Sequence, residues 1–292
     1  MKLGLGSVQF GIDYGATNTG GKVAESEVVK ILKTAADHGI DLIDTAAAYG
    51  DAESVLHRCL PADARFAVVS KTLPLPADLS PEQALNAVAE RFRQSLQNLA
   101  CPSLYGLLVH RADDLLGPQG DALFAWMDGL RVSGQVQSIG VSVYSPEEAD
   151  TLLARYPIGL IQLPLNVLDQ RFIESGSLAR LKAAGVEIHV RSIFLQGLLL
   201  ADPEQLARKF SALGPILTAY RQHLQALDCS PLAAAFAFAG SVREIDAVIV
   251  GAAGLREWQE ILSAWQDGQQ LQNLDFGRWA VNDEKLIDPR KW

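Results

Sequence analysis

The chain has 292 residues, of which 49% are hydrophobic, and its formal net charge is −9 at pH 7. This is enough apolar material for a large core, and it argues against intrinsic disorder. The acidic balance and the absence of a Lys/Arg-rich run argue against a nucleic-acid partner, because binding a phosphate backbone requires clustered cations.

Short apolar runs alternate with longer amphipathic segments along the chain, and this alternation predicts parallel strands joined by helices. The strand candidates are centred on Leu5, Ile43, Val68, Leu107, Gly140, Ile161, Val190 and Ile249. This α/β pattern predicts a closed (β/α)8 TIM barrel, with parallel strands inside and helices outside. No change in composition marks a domain boundary, so we expect a single barrel domain over residues 1–292.

Several helix boundaries are marked by local sequence. The segments Ser80–Gln83 and Ser145–Glu148 each combine a serine, a proline and a Gln or Glu three positions later, which predicts a capping box. Ser230, also followed by proline, predicts a third helix start. Gly39 and Gly185 each precede a strand and predict left-handed helix ends.

Two polar or long connections, residues 17–22 and 200–215, are candidates for substrate-specificity loops or a lid, although ordinary surface loops would have the same composition. The aromatic residues Tyr14, Trp126 and Trp279 could line a pocket or pack in the core. None of these features indicates a particular substrate.

Four residues with catalytic chemistry lie at or just beyond the ends of predicted strands: Asp44, Tyr49, Lys71 and His110. Such groups converge on one face of a parallel barrel. A tyrosine with a pKa of about 10 is a weak acid at neutral pH, and a nearby ammonium would lower that pKa. Lys71 is the candidate ammonium, Asp44 would hold it charged, and His110 could position a substrate oxygen. Each residue alone fits a structural role, but their joint placement favours a site.

Two other motifs are weaker. Gly4 and Gly6 with Gly11 resemble part of a dinucleotide-binding fingerprint, but the third glycine is displaced and no helix opens directly after the second, so a Rossmann fold is disfavoured. No second His or Cys lies at ligand spacing from His110, so we expect no metal.

The chain resembles the aldo-keto reductase family. The order Asp44, Tyr49, Lys71, His110 matches that family's catalytic tetrad. The matching segments are residues 3–11, 44–50, 69–71, 107–111, 139–142 and 161–166. Together they extend over most of the chain and are specific, whereas any one alone would be weak.

The resemblance implies which residues hold a nicotinamide cofactor. On the nicotinamide side they are Gly6, Ser7, Val8, Asp44, Ser142 and Gln162, with Asn166 nearby. Arg191 stands where many members have a stacking aromatic residue; its planar guanidinium can stack, but it adds positive charge beside a ring that becomes cationic on oxidation. The pyrophosphate side is formed by Ser192, Phe194, Leu195, Gln196 and Gly197. The adenosine side contains Gly251, Ala252, Glu257 and Glu260.

The adenosine side gives a slight preference for NAD(H) over NADP(H). Family members that prefer NADPH usually present basic and hydroxyl side chains there, whereas this chain has Gly251, Ala252 and Glu257. A carboxylate repels a 2′-phosphate and can accept a hydrogen bond from a 2′-hydroxyl. The neighbouring Arg256 works against this preference, and Glu257 on a solvated helix face would have no such role.

The implied activity is reversible hydride transfer between a nicotinamide and an aldehyde, ketone or sugar lactone/lactol. Tyr49 would act as proton donor or acceptor, and His110 would donate a hydrogen bond to the carbonyl oxygen. One alternative is a nicotinamide-binding sensor or regulatory protein with little turnover. A second is an aldolase-like barrel with Lys71 as a Schiff-base nucleophile, and a purely binding barrel ranks last.

The cysteines and the apolar segments indicate in which cellular compartment we expect the protein. Cys59, Cys101 and Cys229 are odd in number and widely separated, which fits reduced structural thiols. The first residues lack a long apolar segment with a cleavage site, and the apolar stretch 193–201 is interrupted and too short to span a bilayer. We expect a cytoplasmic, soluble enzyme with a small-molecule partner and no membrane partner. The sequence does not indicate the oligomeric state.

Overall fold

The computed structural model describes residues 1–16, 18, 20–76, 79–202, 211–271 and 274–292. Eight strands form one closed barrel in which every neighbouring pair is parallel, and β1 pairs with β8. The strands are β1 Lys2–Gly6, β2 Leu42–Asp44, β3 Ala67–Lys71, β4 Leu104–Val109, β5 Val136–Ser142, β6 Leu160–Pro164, β7 Glu187–Arg191 and β8 Ala247–Gly251. The predicted (β/α)8 TIM barrel is therefore confirmed, and each predicted strand centre falls within its strand.

Helices surround the barrel. Among the described residues they are α1 Val8–Gly11, α2 Glu25–Asp37, α3 Ala52–Cys59, α4 Pro81–Leu99, α5 Ala112–Leu116, α6 Gly120–Val132, α7 Pro146–Arg155, α8 Arg171–Glu174, α9 Ser177–Ala183, α10 Gly214–Ala226, α11 Pro231–Ser241, α12 Leu255–Gln270 and α13 Glu284–Ile287. Short 3-10 helices span Leu195–Gly197, Gly277–Trp279 and Pro289–Lys291. In the described ranges, no helix combines the length and apolar composition that crossing a bilayer would require.

The predicted helix boundaries are confirmed by their hydrogen bonds. The Ser80 hydroxyl accepts from the Gln83 backbone N–H at 3.3 Å, and the Gln83 side chain accepts from the Ser80 N–H at 3.1 Å. α7 begins with the same reciprocal capping box, and the Ser230 hydroxyl caps α11. Gly39 and Gly185, just after α2 and α9, have φ values of 73° and 78°. Only glycine adopts this left-handed conformation without steric cost, so both helices end where the sequence predicts.

The barrel interior explains why the site lies at one end of the barrel. A small apolar cluster fills the interior; its members are Leu42, Val69, Leu108, Leu160, Ala247 and Ile249. Side chains alternate along a strand, so Asp44 and Lys71 point inward one step beyond Leu42 and Val69. The apolar layer therefore excludes water from below, and the polar side chains above it meet at the carboxyl ends of the strands.

Candidate active site

A buried ion pair joins the ends of β2 and β3. The Lys71 Nζ lies 2.6 and 2.7 Å from the two carboxylate oxygens of Asp44 and 3.0 Å from the Thr45 carbonyl oxygen. The Gln162 amide donates to Asp44 Oδ1 at 2.7 Å. Lys71 is 2% exposed and Asp44 4%. Three acceptors face the three ammonium donors, so both side chains are held in one geometry.

Burial and the ion pair with Asp44 shift the pKa of Lys71 in opposite directions. Burial lowers the pKa of the Lys71 ammonium below its ordinary value, and the adjacent Asp44 carboxylate opposes that shift. Because the ammonium and the carboxylate lie at hydrogen-bond distance, the Asp44–Lys71 pair carries no net charge. The expected role of Asp44 as the partner of Lys71 therefore agrees with the geometry.

Tyr49 and His110 complete the cluster predicted from the sequence. The Lys71 Nζ lies 5.2 Å from the centroid of the Tyr49 ring. The Tyr49 and His110 rings meet edge to face, with centroids 5.8 Å apart and an interplanar angle of 83°. Residues that are far apart in the sequence are thus brought into mutual contact at the barrel mouth.

The pKa of Tyr49 shifts in the direction opposite to the one predicted from the sequence. Burial raises the pKa of this phenol above its ordinary value, and the negative charge of Asp44 adds to the rise, while Arg191 opposes it. We expected Lys71 to lower this pKa. The expectation was wrong because the positive charge of Lys71 is compensated by Asp44 at hydrogen-bond distance. Tyr49 is accordingly a protonated phenol at neutral pH.

His110 is neutral in this environment. Burial lowers the pKa of its imidazole to about 4, and the positive charge of Lys71 acts in the same direction. Its Nδ1 is buried and has no hydrogen-bond partner within the described part of the chain. A buried polar atom without a partner is costly unless a ligand or water satisfies it. His110 can therefore form a hydrogen bond with a bound polar group.

A cleft of about 570 Å³ opens beside these residues. This volume is typical of small-molecule sites. The predicted site residues that line it are Gly6, Ser7, Val8, Asp44, Tyr49, Arg191, Ser192, Phe194, Gln196, Gly197, Gly251 and Glu257. Most of the residues predicted to bind the cofactor therefore line this one cleft.

Seven predicted residues are not part of the described cleft wall. Lys71 and His110 contact Tyr49, as described above, and Ser142, Gln162, Leu195 and Ala252 are buried. Glu260 lies at the outer surface, where it pairs with Arg256 at 3.0 Å. Glu260 therefore forms an ion pair with a neighbouring arginine and is not among the residues that line the cleft.

Parts of the two predicted specificity loops also border the cleft. Asn18 and Gly20 contribute to its wall from the first loop, and Leu200 and Ala201 from the second. Residues 17, 19 and 203–210 of these loops lie outside the described residues. Tyr14, which the sequence left open between a pocket and a packing role, lines the cleft and accepts from the Gln196 amide at 3.4 Å.

Arg191 lies at the end of β7 and is already held by the protein. Its guanidinium lies 4.1 Å from the centroid of the Tyr144 ring, and Nη2 donates to the Val143 carbonyl oxygen at 3.1 Å. Arg290 lies 3.8 Å from the same ring centroid and is paired with Asp288 at 2.7 Å. In the described residues, no carboxylate lies within ion-pair distance of Arg191. Its positive charge is therefore not neutralised by a neighbouring acid.

The loop after β7 is locally strained. Ser192, Leu195 and Gln196 have φ values of 61°, 48° and 53°. Non-glycine residues rarely adopt this left-handed conformation, and they retain it where the surrounding structure over-determines it, often at ligand sites. Ser192 and Gln196 also line the cleft, so the strain lies where the sequence predicts the pyrophosphate.

Glycine backbone and unpaired polar atoms shape the wall between β1 and β8. Gly6 and Gly251 are register partners, and a Cβ on Gly251 would lie 2.3 Å from Gln9 Oε1. This Gln9 oxygen, Ser7 Oγ and Gln162 Oε1 are all buried and lack partners among the described residues. Sequence reasoning did not single out Gln9, because only barrel closure brings it against Gly251.

The opposite end of the cleft lies at the start of α12. The Glu257 carboxylate accepts from the Ala253 N–H at 2.6 Å, and the Glu27 carboxylate from α2 accepts from the Leu255 N–H at 3.1 Å. Glu257 therefore satisfies a backbone donor at this helix start as well as lining the cleft. Glu27 was not predicted, since it is distant in sequence and has no motif of its own.

No group of three or more His, Cys, Asp or Glu side chains suited to a metal ion occurs in the described part of the chain.

Comparison with known proteins adds to this geometry. A model of the Aldo/keto reductase family matches residues 2–280. The chain is 29% identical over 181 residues to aldo-keto reductase YhdN of Bacillus subtilis (strain 168), a match that covers 60% of this chain and 53% of that protein. The matched stretch thus spans about half the length of this curated relative.

Solved structures share the fold. A Pseudomonas aeruginosa protein described as an aldo-keto reductase superposes with a TM-score of 0.67 and 22% identity, covering 92% of this chain and 90% of its own. The glycerol dehydrogenase from Gluconobacter oxydans superposes with a TM-score of 0.70 and 21% identity, covering 94% and 88%. At these identities the likeness demonstrates a common architecture.

Proposed function

Because the chain belongs to the aldo/keto reductase family, we propose that it is a nicotinamide-dependent oxidoreductase that interconverts a carbonyl compound and an alcohol. The observation that carries the proposal is the buried Asp44–Lys71 pair directly beside Tyr49 at the mouth of a cleft. The proposed catalytic residues are Asp44, Tyr49, Lys71 and His110.

The residues of the cleft fit a nicotinamide dinucleotide. Gly251 has no side chain at the point where the Gln9 amide packs against it, and Gly6 is its register partner, so this part of the wall is formed by backbone and by the Gln9 amide. The unpaired atoms Ser7 Oγ, Gln9 Oε1 and Gln162 Oε1 offer hydrogen bonds to an amide and to hydroxyl groups. Donors and acceptors are therefore present where the family resemblance puts the nicotinamide.

In the proposed mechanism the bound cofactor supplies or accepts the hydride. Tyr49 donates its proton to the carbonyl oxygen during reduction and accepts it during oxidation. Its raised pKa keeps the proton in place until an alkoxide forms, and an alkoxide is a strong enough base to take it. The Arg191 guanidinium, whose charge lowers the pKa of Tyr49, stabilises the phenolate that remains. Lys71 contacts the Tyr49 ring, with its Nζ 5.2 Å from the ring centroid.

His110 positions the substrate oxygen, and Asp44 positions Lys71. The neutral imidazole of His110 donates a hydrogen bond to the substrate oxygen and directs it toward the Tyr49 hydroxyl. Asp44 and the Gln162 amide fix Lys71 in its place. The apolar layer below excludes water, which strengthens each of these interactions.

We further propose a small carbonyl compound or a sugar lactol as the substrate class and a slight preference for NAD(H). The carboxylates of Glu257 and Glu27 both bind backbone N–H groups at the start of α12, where a 2′-phosphate would otherwise find donors. Two carboxylates there repel a phosphate.

The test is a side-by-side titration of the purified protein with NADH and NADPH, followed by a screen of aldehydes, ketones and sugars with the tighter cofactor. We expect binding and hydride transfer. Binding without turnover on any substrate would favour a nicotinamide sensor, and failure to bind either cofactor would overturn the proposal.

The Schiff-base alternative is disfavoured by the surroundings of Lys71. A nucleophilic lysine requires a free, accessible amine, whereas the Lys71 Nζ is buried and has three oxygen partners. Borohydride trapping of substrate on Lys71 would nevertheless contradict the oxidoreductase mechanism.

A further inference from the structure

We infer that Arg191 makes the cleft bind the reduced, uncharged nicotinamide more tightly than the oxidised, cationic nicotinamide. The inference rests on the proposed function, since it requires that the cleft holds a nicotinamide at all. It assigns to Arg191 a role in selecting the redox state of the cofactor.

The charges at the barrel end of the cleft sum to one positive charge. Asp44 and Lys71 form a pair without net charge. Tyr49 retains its proton, and His110 is neutral at pH 7 because burial lowers its pKa to about 4. Arg191 is the remaining ionised group among these residues, and a guanidinium stays protonated at any working pH.

The position of this charge is fixed. The guanidinium packs on the Tyr144 ring and donates one hydrogen bond to the Val143 carbonyl oxygen. Two other arginines that contact Tyr144 are neutralised: Arg171 by Asp169 at 2.8 Å, and Arg290 by Asp288 at 2.7 Å. In the described ranges, Arg191 has no such carboxylate.

The field of Arg191 reaches the reacting end of the cleft. Arg191 and Tyr49 line the same cleft. The guanidinium opposes the burial-driven rise in the pKa of Tyr49, and it contributes to the low pKa of His110. A second positive charge in this partly desolvated space is repelled, whereas an uncharged ring is not. We expect this repulsion to weaken binding of the oxidised form about tenfold relative to the reduced form.

The experiment compares the dissociation constants of reduced and oxidised cofactor in the wild type and in matched variants. Binding of the reduced form is followed by its fluorescence, and binding of the oxidised form by competition, so no turnover is needed. The variants are Arg191→Met, which removes the charge but keeps much of the side-chain length, and Arg191→Lys, which keeps the charge. Arg131→Met is the control, because Arg131 is an exposed arginine paired with Asp128 on α6, outside the described cleft wall.

We expect the wild type to bind the reduced form more tightly and Arg191→Met to lose about tenfold of that preference, mainly by gaining affinity for the oxidised form. Arg191→Lys and Arg131→Met should keep most of the preference. Thermal melting checks that each variant is folded, and Arg191→Gln replaces Arg191→Met if the latter does not fold.

Two results would overturn the inference while leaving the proposed function intact. One is equal affinity of the wild type for both redox forms. The other is an affinity ratio that does not change when Arg191 loses its charge. If the wild type binds neither form, the proposed function itself fails, and the inference fails with it.

Discussion

The two ends of the cleft are built in different ways. At the barrel end, Asp44, Lys71 and Gln162 are buried and joined by hydrogen bonds of 2.6–2.7 Å. Beyond the outer end, on the surface of α12, Arg256 is 93% exposed in its side chain and pairs with an exposed carboxylate of Glu260. A buried network loses stability when one member is removed, whereas an exposed pair contributes little. Changes at the outer end can therefore alter ligand preference without unfolding the barrel.

The largest expected effect is on catalysis at the barrel end. Tyr49→Phe removes the proposed proton donor but keeps the ring that contacts His110. We expect hydride transfer to fall by about 10²–10⁴-fold, the usual contribution of general acid catalysis. Cofactor dissociation constants should change little. Single-turnover kinetics and fluorescence titration measure the two quantities, and an active Tyr49→Phe enzyme would remove Tyr49 from the mechanism.

The next effect contrasts a buried with an exposed ion pair. Lys71→Met leaves the Asp44 carboxylate buried without its cation, and we expect the free energy of unfolding to fall by roughly 3–5 kcal/mol. The matched control Lys33→Met breaks the exposed pair with Asp37, and we expect a change of about 0.5 kcal/mol or less. Urea denaturation measures both. Equal losses in the two variants would mean that burial does not distinguish the pairs.

A smaller expected effect is that the free energy of unfolding depends on pH through His110. The pKa of this imidazole is about 4 in the folded protein and about 6.5 when unfolded. Because the unfolded state takes up the proton first, the neutral imidazole's contribution to stability is complete above pH 6.5 and is lost as the pH falls toward 4.

We therefore expect His110→Phe to flatten the stability curve in this window. The control His57→Gln, at an exposed position of α3, should keep the wild-type slope. Denaturation at a series of pH values measures the difference. Parallel curves for wild type and His110→Phe would show that the imidazole is not held neutral.

The smallest expected effect belongs to the outer end. Glu257→Gln removes a charge but keeps an oxygen that can accept from the Ala253 N–H. We expect affinity for NADPH relative to NADH to rise about two- to tenfold, because less negative charge faces the 2′-phosphate. Glu147→Gln, in the first turn of α7, is the control. An unchanged ratio would assign Glu257 to helix capping alone.

The fold was predictable because its signals are local. Alternating apolar runs set the strand centres, and the serine, proline and glycine positions set the ends of α2, α4, α7, α9 and α11. The grouping of Asp44, Tyr49, Lys71 and His110 was predictable for a related reason: a parallel barrel brings the carboxyl ends of its strands together.

What the sequence did not predict depends on long-range geometry. The direction of the shift in the Tyr49 pKa follows from the burial of the phenol and from the close pairing of Lys71 with Asp44. Neither the burial nor the pairing distance can be derived from the spacing of residues in the sequence. Gln9 meets Gly251 in the cleft wall, and Glu27 meets the start of α12, only because β8 and α12 return to the beginning of the chain. Such contacts appear when the barrel closes.

That closure has a consequence for how the protein is made. Gly6 on β1 and Gly251 on β8 face each other across the last seam of the barrel, and both belong to the cleft wall. A nascent chain emerging from the ribosome holds the first half of this wall long before the second half is synthesised. Ligand-binding competence therefore arises after nearly the whole chain has been translated.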